Sequence, residues 1–208
     1  MTIETFCIYA AIAVGSYIFG SISPSIIISY NVAKKDVRNF GSGNAGSTNM
    51  VRTFGWKMGI FTFALDIVKG VLPVLAAKVI SPYIGDTLGV ASMVASLCVI
   101  AGHNWPIFYK FRGGKGVAST FGVLLVLMTW PTLGAFVIAI LSIVISGMVS
   151  IGSMIGVILC AVASFIFYDD TILRITICTL AAFSIFLHRA NIVRIINGTE
   201  NKISLKHK

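Results

Sequence analysis

Long uncharged stretches alternate along this chain with short clusters of charge. Thr5 to Ala33 holds no Asp, Glu, Lys or Arg over 29 residues. A helix of that length crosses ~30 Å of hydrocarbon at about 1.5 Å per residue. Met58 to Ile80 is apolar apart from Asp66, Lys69 and Lys78, and a third apolar run covers Thr87 to Ile100, starting near Ile84. Gly116 to Tyr168 is the extreme case, with 53 residues and no Asp, Glu, Lys or Arg. At ~20 residues per span it has room for two or three helices. Trp130-Pro131 predicts one break there, because proline disfavours helix at the residue before it. Ser150-Ile151-Gly152-Ser153 predicts a second, softer break. Thr171 to Leu187 is the last run, with Arg174 near its start.

The charges between the runs decide how many spans there are. Lys34, Lys35, Arg38, Arg52 and Lys57 follow the first run. Lys110, Arg112 and Lys115 follow the third, and Arg189, Arg194, Lys202, Lys206 and Lys208 fill the tail. Together these are 13 of the 16 basic residues. Placing all three clusters on the cytoplasmic side obeys the positive-inside rule and needs an odd number of spans. The expectation is therefore an all-α polytopic integral membrane protein with seven transmembrane helices, N-terminus outside and C-terminus cytoplasmic. The fourth span, near Gly116 to Met128, is short. The segment before the first run carries an acid and no Lys or Arg, and that run is too long for a signal-peptide core, so it reads as a helix that stays.

Composition agrees. The 208 residues are 57% hydrophobic and 11% charged, too few polar groups to cover a soluble core. A length of 208 residues suits a single transmembrane domain over 1–208. Disorder, a disulfide scaffold and an ordinary cytosolic enzyme are poor fits. The net charge of +9 reads as topology plus an anionic ligand, not as nucleic-acid binding. Cys7, Cys98, Cys160 and Cys178 all sit in apolar runs with no CxxC pair, and read as small buried hydrophobes.

Three polar segments carry the candidate chemistry. In Gly41 to Arg52 (GSGNAGSTNMVR), three glycines in six residues let backbone N–H groups approach a ligand. Ser42, Asn44, Ser47, Thr48 and Asn49 add neutral donors, and Arg52 adds a bidentate cation. The segment reads either as an anion nest opening a helix or as a flexible polar turn. In Gly102 to Gly116 (GHNWPIFYKFRGGKG), Gly113-Gly114-Lys115-Gly116 resembles a phosphate loop, with Lys115 as the point charge. It is not a Walker A sequence: Tyr109 and Gly116 stand where that pattern needs Gly and Ser/Thr. Lys110 and Arg112 read as headgroup-snorkelling cations, and Trp105 and Tyr109 as interfacial residues. In the third segment, His188 to Lys202, His188 and Asn191 share a helical face, and Glu200 pairs with a nearby Lys or Arg. Asp66 and Lys69 lie inside the second span as an i, i+3 pair, either functional or merely self-neutralising. No metal-ligand cluster is visible, and no cofactor is expected.

These segments point to a small phosphorylated polyol or other oxyanion met at one membrane face. In this order they resemble the bacterial acyl-phosphate:glycerol-3-phosphate acyltransferase (PlsY) family. The resemblance rests on GSGNAGSTNMVRTFG at Gly41 to Gly55, GHNWPIFYKFRGGKGVAS at Gly102 to Ser119, HRANIVRIINGTENKI at His188 to Ile203, and Asp66 to Gly70 in the second span. Ala190 stands where the family commonly has Glu, and Pro24 one residue later than usual.

The resemblance implies acyl transfer from acyl-phosphate to the 1-hydroxyl of sn-glycerol 3-phosphate, on the cytoplasmic face of a bacterial inner membrane. It implies catalytic roles for Ser42, Arg52, Lys115, His188 and Asn191. It places substrate binding at Gly43, Asn44, Thr48, His103, Gly113, Gly114, Gly116 and Glu200. The implied partners are glycerol 3-phosphate, acyl-phosphate, the lipid bilayer and the enzyme that makes acyl-phosphate. A transporter of a small phosphorylated metabolite is the alternative, and it predicts polar residues near mid-membrane.

Overall fold

A computed structural model describes residues 2–203, and Lys206 and Lys208 of the basic tail lie outside them. Every regular element among the described residues is helical. Five helical stretches are long and apolar enough to cross a bilayer, or six when a bent pair near the C-terminus counts as one span. The chain divides after Leu127 into two compact units.

The first unit starts with α1 (Ile3–Gly20) and α2 (Pro24–Ala33). The sequence led us to expect one unbroken helix here. The structure breaks it at Ser21 to Ser23, because Pro24 holds Ser23 extended at ψ 100° and then opens α2 from its first turn. After the loop come α3 (Ser47–Phe54) and α4 (Trp56–Ile80). Pro73 sits inside α4 and offers no N–H to the Lys69 carbonyl one turn earlier. α5 (Val90–Asn104) starts later than the apolar run suggested, because Asp86 caps it. Asp86 Oδ1 accepts the Val90 N–H at 2.9 Å and Oδ2 the Ala91 N–H at 2.8 Å. Burial opposes ionisation of Asp86, but these N–H groups and the Ser81 and Tyr9 hydroxyls outweigh it and hold the carboxyl below its ordinary range.

α6 (Val117–Leu127) is the short fourth helix. Its 11 residues span only about 16 Å. Its inner turns are buried, with Ala118, Ser119, Thr120, Gly122, Val123 and Leu124 shielded. Glycines let these helices touch backbone to backbone, the usual route to tight packing without a hydrophobic driving force. A Cβ on Gly70 of α4 would stand 2.1 Å from the Ser119 carbonyl oxygen of α6, and one on Gly122 of α6 would stand 2.2 Å from that of Ile67 on α4. α1 and α5 are matched in the same way by Gly20 and Gly102.

The second unit holds α7 (Thr129–Ser146), α8 (Val149–Phe167), α9 (Thr171–Leu187) and α10 (Arg189–Ile196). Both expected breaks exist, each displaced by about one turn of helix. Met128 ends α6, and Trp130-Pro131 falls in the first turn of α7, where a proline without its N–H is harmless. Gly147, at φ 73°, ends α7, and Ser150 to Ser153 begin α8. α9 and α10 meet at 55° on His188. Three hydroxyls in this apolar region turn onto nearby carbonyls of their own segment: Thr132 donates to the Met128 carbonyl, Ser146 to Ser142 and Ser153 to Val149, at 2.6–2.8 Å.

Candidate active site

In the first unit, the loop from Val37 to Gly46 is anchored by its own apolar cluster. Val37, Ala45 and Met50 bury against Ile26 and Ile28 of α2, with Met58, Leu65 and Tyr109 packed around them. Asn49, one turn into α3, organises the rest of the loop. Its Oδ1 accepts the Ser42 N–H at 2.9 Å. Its Nδ2 donates to the carbonyls of Val37, Phe40 and Asn44 at 2.9–3.1 Å. Gly41, at φ 55°, brings its Cα so close that a Cβ would stand 2.3 Å from Asn49 Oδ1. Arg52 lies in the last turn of α3, half-buried, like Ser42, Asn44 and Thr48 in the loop and first turn. The sequence had offered Asn49 as one more donor. The structure spends it on the loop itself.

The second segment folds back on the end of α5. The Gly113 N–H donates to the Asn104 carbonyl at 3.2 Å, and that of Gly114 to His103 at 3.3 Å. A Cβ on Gly113 would meet the His103 carbonyl oxygen at 2.1 Å, and one on Gly114 would meet His103 Nε2 at 2.5 Å. Glycine is thus required at both places by close approach. Gly116, at φ 72°, then opens α6, with Lys115 half-buried just before it.

The structure brings the first two segments together. The Ala45 N–H donates to the Gly113 carbonyl at 3.5 Å. Arg38 Nη1 donates to the carbonyls of Tyr109 and Arg112, both at 2.9 Å. Arg38 is itself held by Asp36, with Nη2 to Oδ2 at 2.7 Å. Hydrogen bonds from Arg38 hold the Asp36 carboxyl below its ordinary range. Nothing in the sequence distinguished Arg38 from its neighbours Lys34 and Lys35. Lys110 and Arg112 remain exposed, at the surface side of this clamp.

Beneath the second segment, the Asp66–Lys69 pair acquires a third member that sequence spacing could not reveal. Lys69 Nζ lies 3.1 Å from Asp66 Oδ1 and 2.9 Å from His103 Nδ1.

In the second unit, His188 and Asn191 are both buried, His188 at the bend between α9 and α10 and Asn191 in the first turn of α10. His188 Nδ1 lies 2.7 Å from the Ser184 carbonyl. A carbonyl only accepts, so Nδ1 carries a proton and donates it to Ser184. Glu200 is ringed by donors: Asn191 Nδ2 at 2.6 Å and Ser150 Oγ at 2.9 Å on Oε1, and Arg194 Nε at 2.8 Å on Oε2. The expected ion pair of Glu200 is thus with Arg194. Burial opposes ionisation of Glu200, but hydrogen bonds from Asn191, Ser150 and Arg194 outweigh it and hold the carboxyl below its ordinary range.

Arg52 at the end of the helix that follows one glycine-rich loop, Lys115 in a second such loop, and His188 and Asn191 at the start of α10 are groups suited to a phosphorylated alcohol. The glycerol-3-phosphate acyltransferase family model matches residues 10–198. The chain belongs to this family. A glycerol-3-phosphate acyltransferase of Clostridioides difficile (strain 630) is 44% identical over 199 residues, covering 95% of this chain and 97% of that one. One from Thermoanaerobacter pseudethanolicus is 40% identical over 194 residues, covering 93% and 95%. Among solved structures, the crystal structure of PlsY, an integral membrane glycerol 3-phosphate acyltransferase, in its glycerol 3-phosphate form superposes with a TM-score of 0.87 at 29% identity. That match covers 94% of this chain and 96% of the other. Its lysophosphatidic acid form gives 0.84 at 28% identity. This glycerol-3-phosphate acyltransferase is thus a multi-pass, all-helical membrane protein.

Proposed function

We propose that the enzyme transfers a fatty acyl group from acyl-phosphate to the 1-hydroxyl of sn-glycerol 3-phosphate. The products are 1-acyl-sn-glycerol 3-phosphate and inorganic phosphate. The observation that carries this reading is the union of the two glycine-rich segments through Arg38 and the Ala45–Gly113 contact, which sets Arg52 and Lys115 in one unit. On this reading Arg52 and Lys115 hold the phosphate. Ser42, His188 and Asn191 contact the glycerol part, and Gly43, Asn44, Thr48, His103, Gly113, Gly114 and Gly116 complete the binding surface. Glu200 acts through Asn191, whose amide it fixes at 2.6 Å.

Acyl-phosphate is a mixed anhydride with a good leaving group, so no covalent acyl-enzyme is required. The glycerol oxygen bonds to the acyl carbon, the carbon–oxygen bond to phosphate breaks, and the hydroxyl proton leaves with a phosphate oxygen of the donor. Orientation of the alcohol and screening of two anionic reactants supply much of the barrier reduction. His188, with Nδ1 tied to the Ser184 carbonyl, holds the hydroxyl through Nε2.

The chain crosses a bacterial inner membrane seven times, counting α6 and the bent α9–α10 pair. Its N-terminus is outside, its C-terminus inside, and its site on the cytoplasmic face. The enzyme that makes acyl-phosphate supplies the donor. The transporter alternative loses support because the Thr132, Ser146 and Ser153 hydroxyls of the apolar second unit bond to carbonyls one turn away along the chain.

The test incubates purified protein with glycerol 3-phosphate and either acyl-phosphate or acyl-CoA. Lysophosphatidate should form from acyl-phosphate alone. Formation from acyl-CoA alone would overturn the donor assignment, and formation from neither would overturn the reaction.

A further inference from the structure

Asp66, Lys69, His103 and Ser119 form a buried polar cluster, and of its members the reaction as described uses only His103. The Asp66 and Lys69 side chains are 2% and 4% exposed. A charged pair inside a membrane-spanning helix is expensive to keep and asks for a role. Lys69 Nζ donates to the Ile22 carbonyl at 2.8 Å, at the break between α1 and α2, and lies 2.9 Å from His103 Nδ1. Ser119 Oγ lies 3.3 Å from the same nitrogen. Asp66 Oδ1 is 3.4 Å from it, half an ångström farther than the ammonium.

These contacts fix a proton. An ammonium only donates, and an amine holds its proton more firmly than an imidazole by about four units. Beside Asp66, the charge stays on Lys69, so His103 Nδ1 accepts. The neutral ring then carries its proton on Nε2. That nitrogen faces the Gly113–Gly114 turn, where a Cβ on Gly114 would stand 2.5 Å from it. The His103 carbonyl also holds the Gly114 N–H at 3.3 Å, one residue before Lys115.

We propose that Asp66 and Lys69 are positioning residues that lock His103 in its Nε2–H tautomer, making Nε2–H a hydrogen-bond donor to the phosphate of glycerol 3-phosphate beside Lys115. A side chain at Gly114 would stand against that donor, at 2.5 Å from Nε2. A neutral donor strengthens phosphate binding without a third cation that would itself need neutralising. The inference rests on Lys115 being a phosphate ligand, as proposed above.

The experiment titrates glycerol 3-phosphate into full-length protein in lipid nanodiscs and measures KM and kcat on the same samples. His103→Gln places an N–H near the Nε2 position, whereas His103→Asn places one near Nδ1. Loss of one hydrogen bond to an anion should raise Kd and KM of His103→Asn about tenfold, with a smaller change in kcat. His103→Gln should stay within about threefold of the parent. An Asp66→Leu/Lys69→Met double variant removes the pair without stranding a charge, so its fold survives. Its KM should also rise about tenfold, and 15N spectra of His103 should show a mixture of tautomers. Equal affinities of His103→Asn and His103→Gln would overturn the inference. So would an Nδ1-protonated ring in the parent, or an unchanged KM in the folded double variant. Lys115→Ala separates the two levels. If it leaves binding intact, the phosphate assignment fails and takes this inference with it. If it weakens binding while the His103 variants do not, only the inference fails.

Discussion

Asn49 ties one loop together through both its amide oxygen and its amide nitrogen, and Glu200 is ringed by donors in a comparable way. Neither side chain needs to touch substrate to matter, because each fixes groups that the proposed reaction needs. For Glu200 the consequence depends on pH. Its folded pKa lies below the ordinary 4.5, so ionisation favours the folded state. That contribution is complete above the unfolded value and disappears as pH falls through the folded one. Glu200→Gln should lower stability near neutral pH by about 1–2 kcal/mol. It should also flatten the loss of stability on acidification below pH 4.5, read by thermal unfolding across a pH series. His188 is different, being proposed to meet the substrate through Nε2. His188→Ala should raise the glycerol 3-phosphate KM about tenfold or more, and slow single-turnover acyl transfer far less at saturating substrate. Normal affinity with almost no single-turnover transfer would instead make His188 the base.

Helices were readable from the apolar runs, whereas their ends were not, because the ends are set by groups with no apolar signature. α5 starts where Asp86 caps it, and α2 starts where Pro24 forbids the preceding turn. The glycine-rich segments were visible as candidate anion loops, since each sets its glycines beside hydroxyls, amides or a cation outside the apolar runs. What joins them was hidden: Arg38 reaches carbonyls 71 and 74 residues away, and His103 meets Lys69 across 34. Pairings at such separations leave no periodic trace. The close crossing of α4 and α6 was equally silent, although both of its glycines were in plain sight. Gly122→Val puts its Cβ into the Ile67 carbonyl, and backbone on both sides leaves nowhere to yield. The expected cost is about 3 kcal/mol, at the top of the overpacking range. Fluorescence-detected melting in detergent should show it, while Gly134→Ala, with open space around it, should melt like the parent.

Charge distribution acts at the scale of the whole molecule. Of 16 basic residues, 13 fall in three clusters, and the two proposed phosphate ligands belong to two of them. On the proposed path, the same sorting that orients a chain in the membrane also gathers cations on the face where the anionic substrate arrives. This couples topology to function: on the proposed seven-span path, Lys57, Arg112 and Arg194 face the cytoplasm, and Tyr83 and Asp169 face outside. Single cysteines at Lys57, Tyr83, Arg112 and Asp169, in a background with the four native cysteines replaced by serine, test the path directly. All four positions are exposed, so labelling reports the side of the membrane and not burial. In intact cells an impermeant maleimide should react at Tyr83→Cys and Asp169→Cys alone. Lys57→Cys and Arg112→Cys should react only after permeabilisation. Labelling of Asp169→Cys from inside would mean that the run from Gly116 to Tyr168 crosses the membrane an even number of times. α6 would then be a re-entrant half-helix, and the chain's C-terminus would lie outside, away from the glycerol 3-phosphate its third segment is proposed to hold.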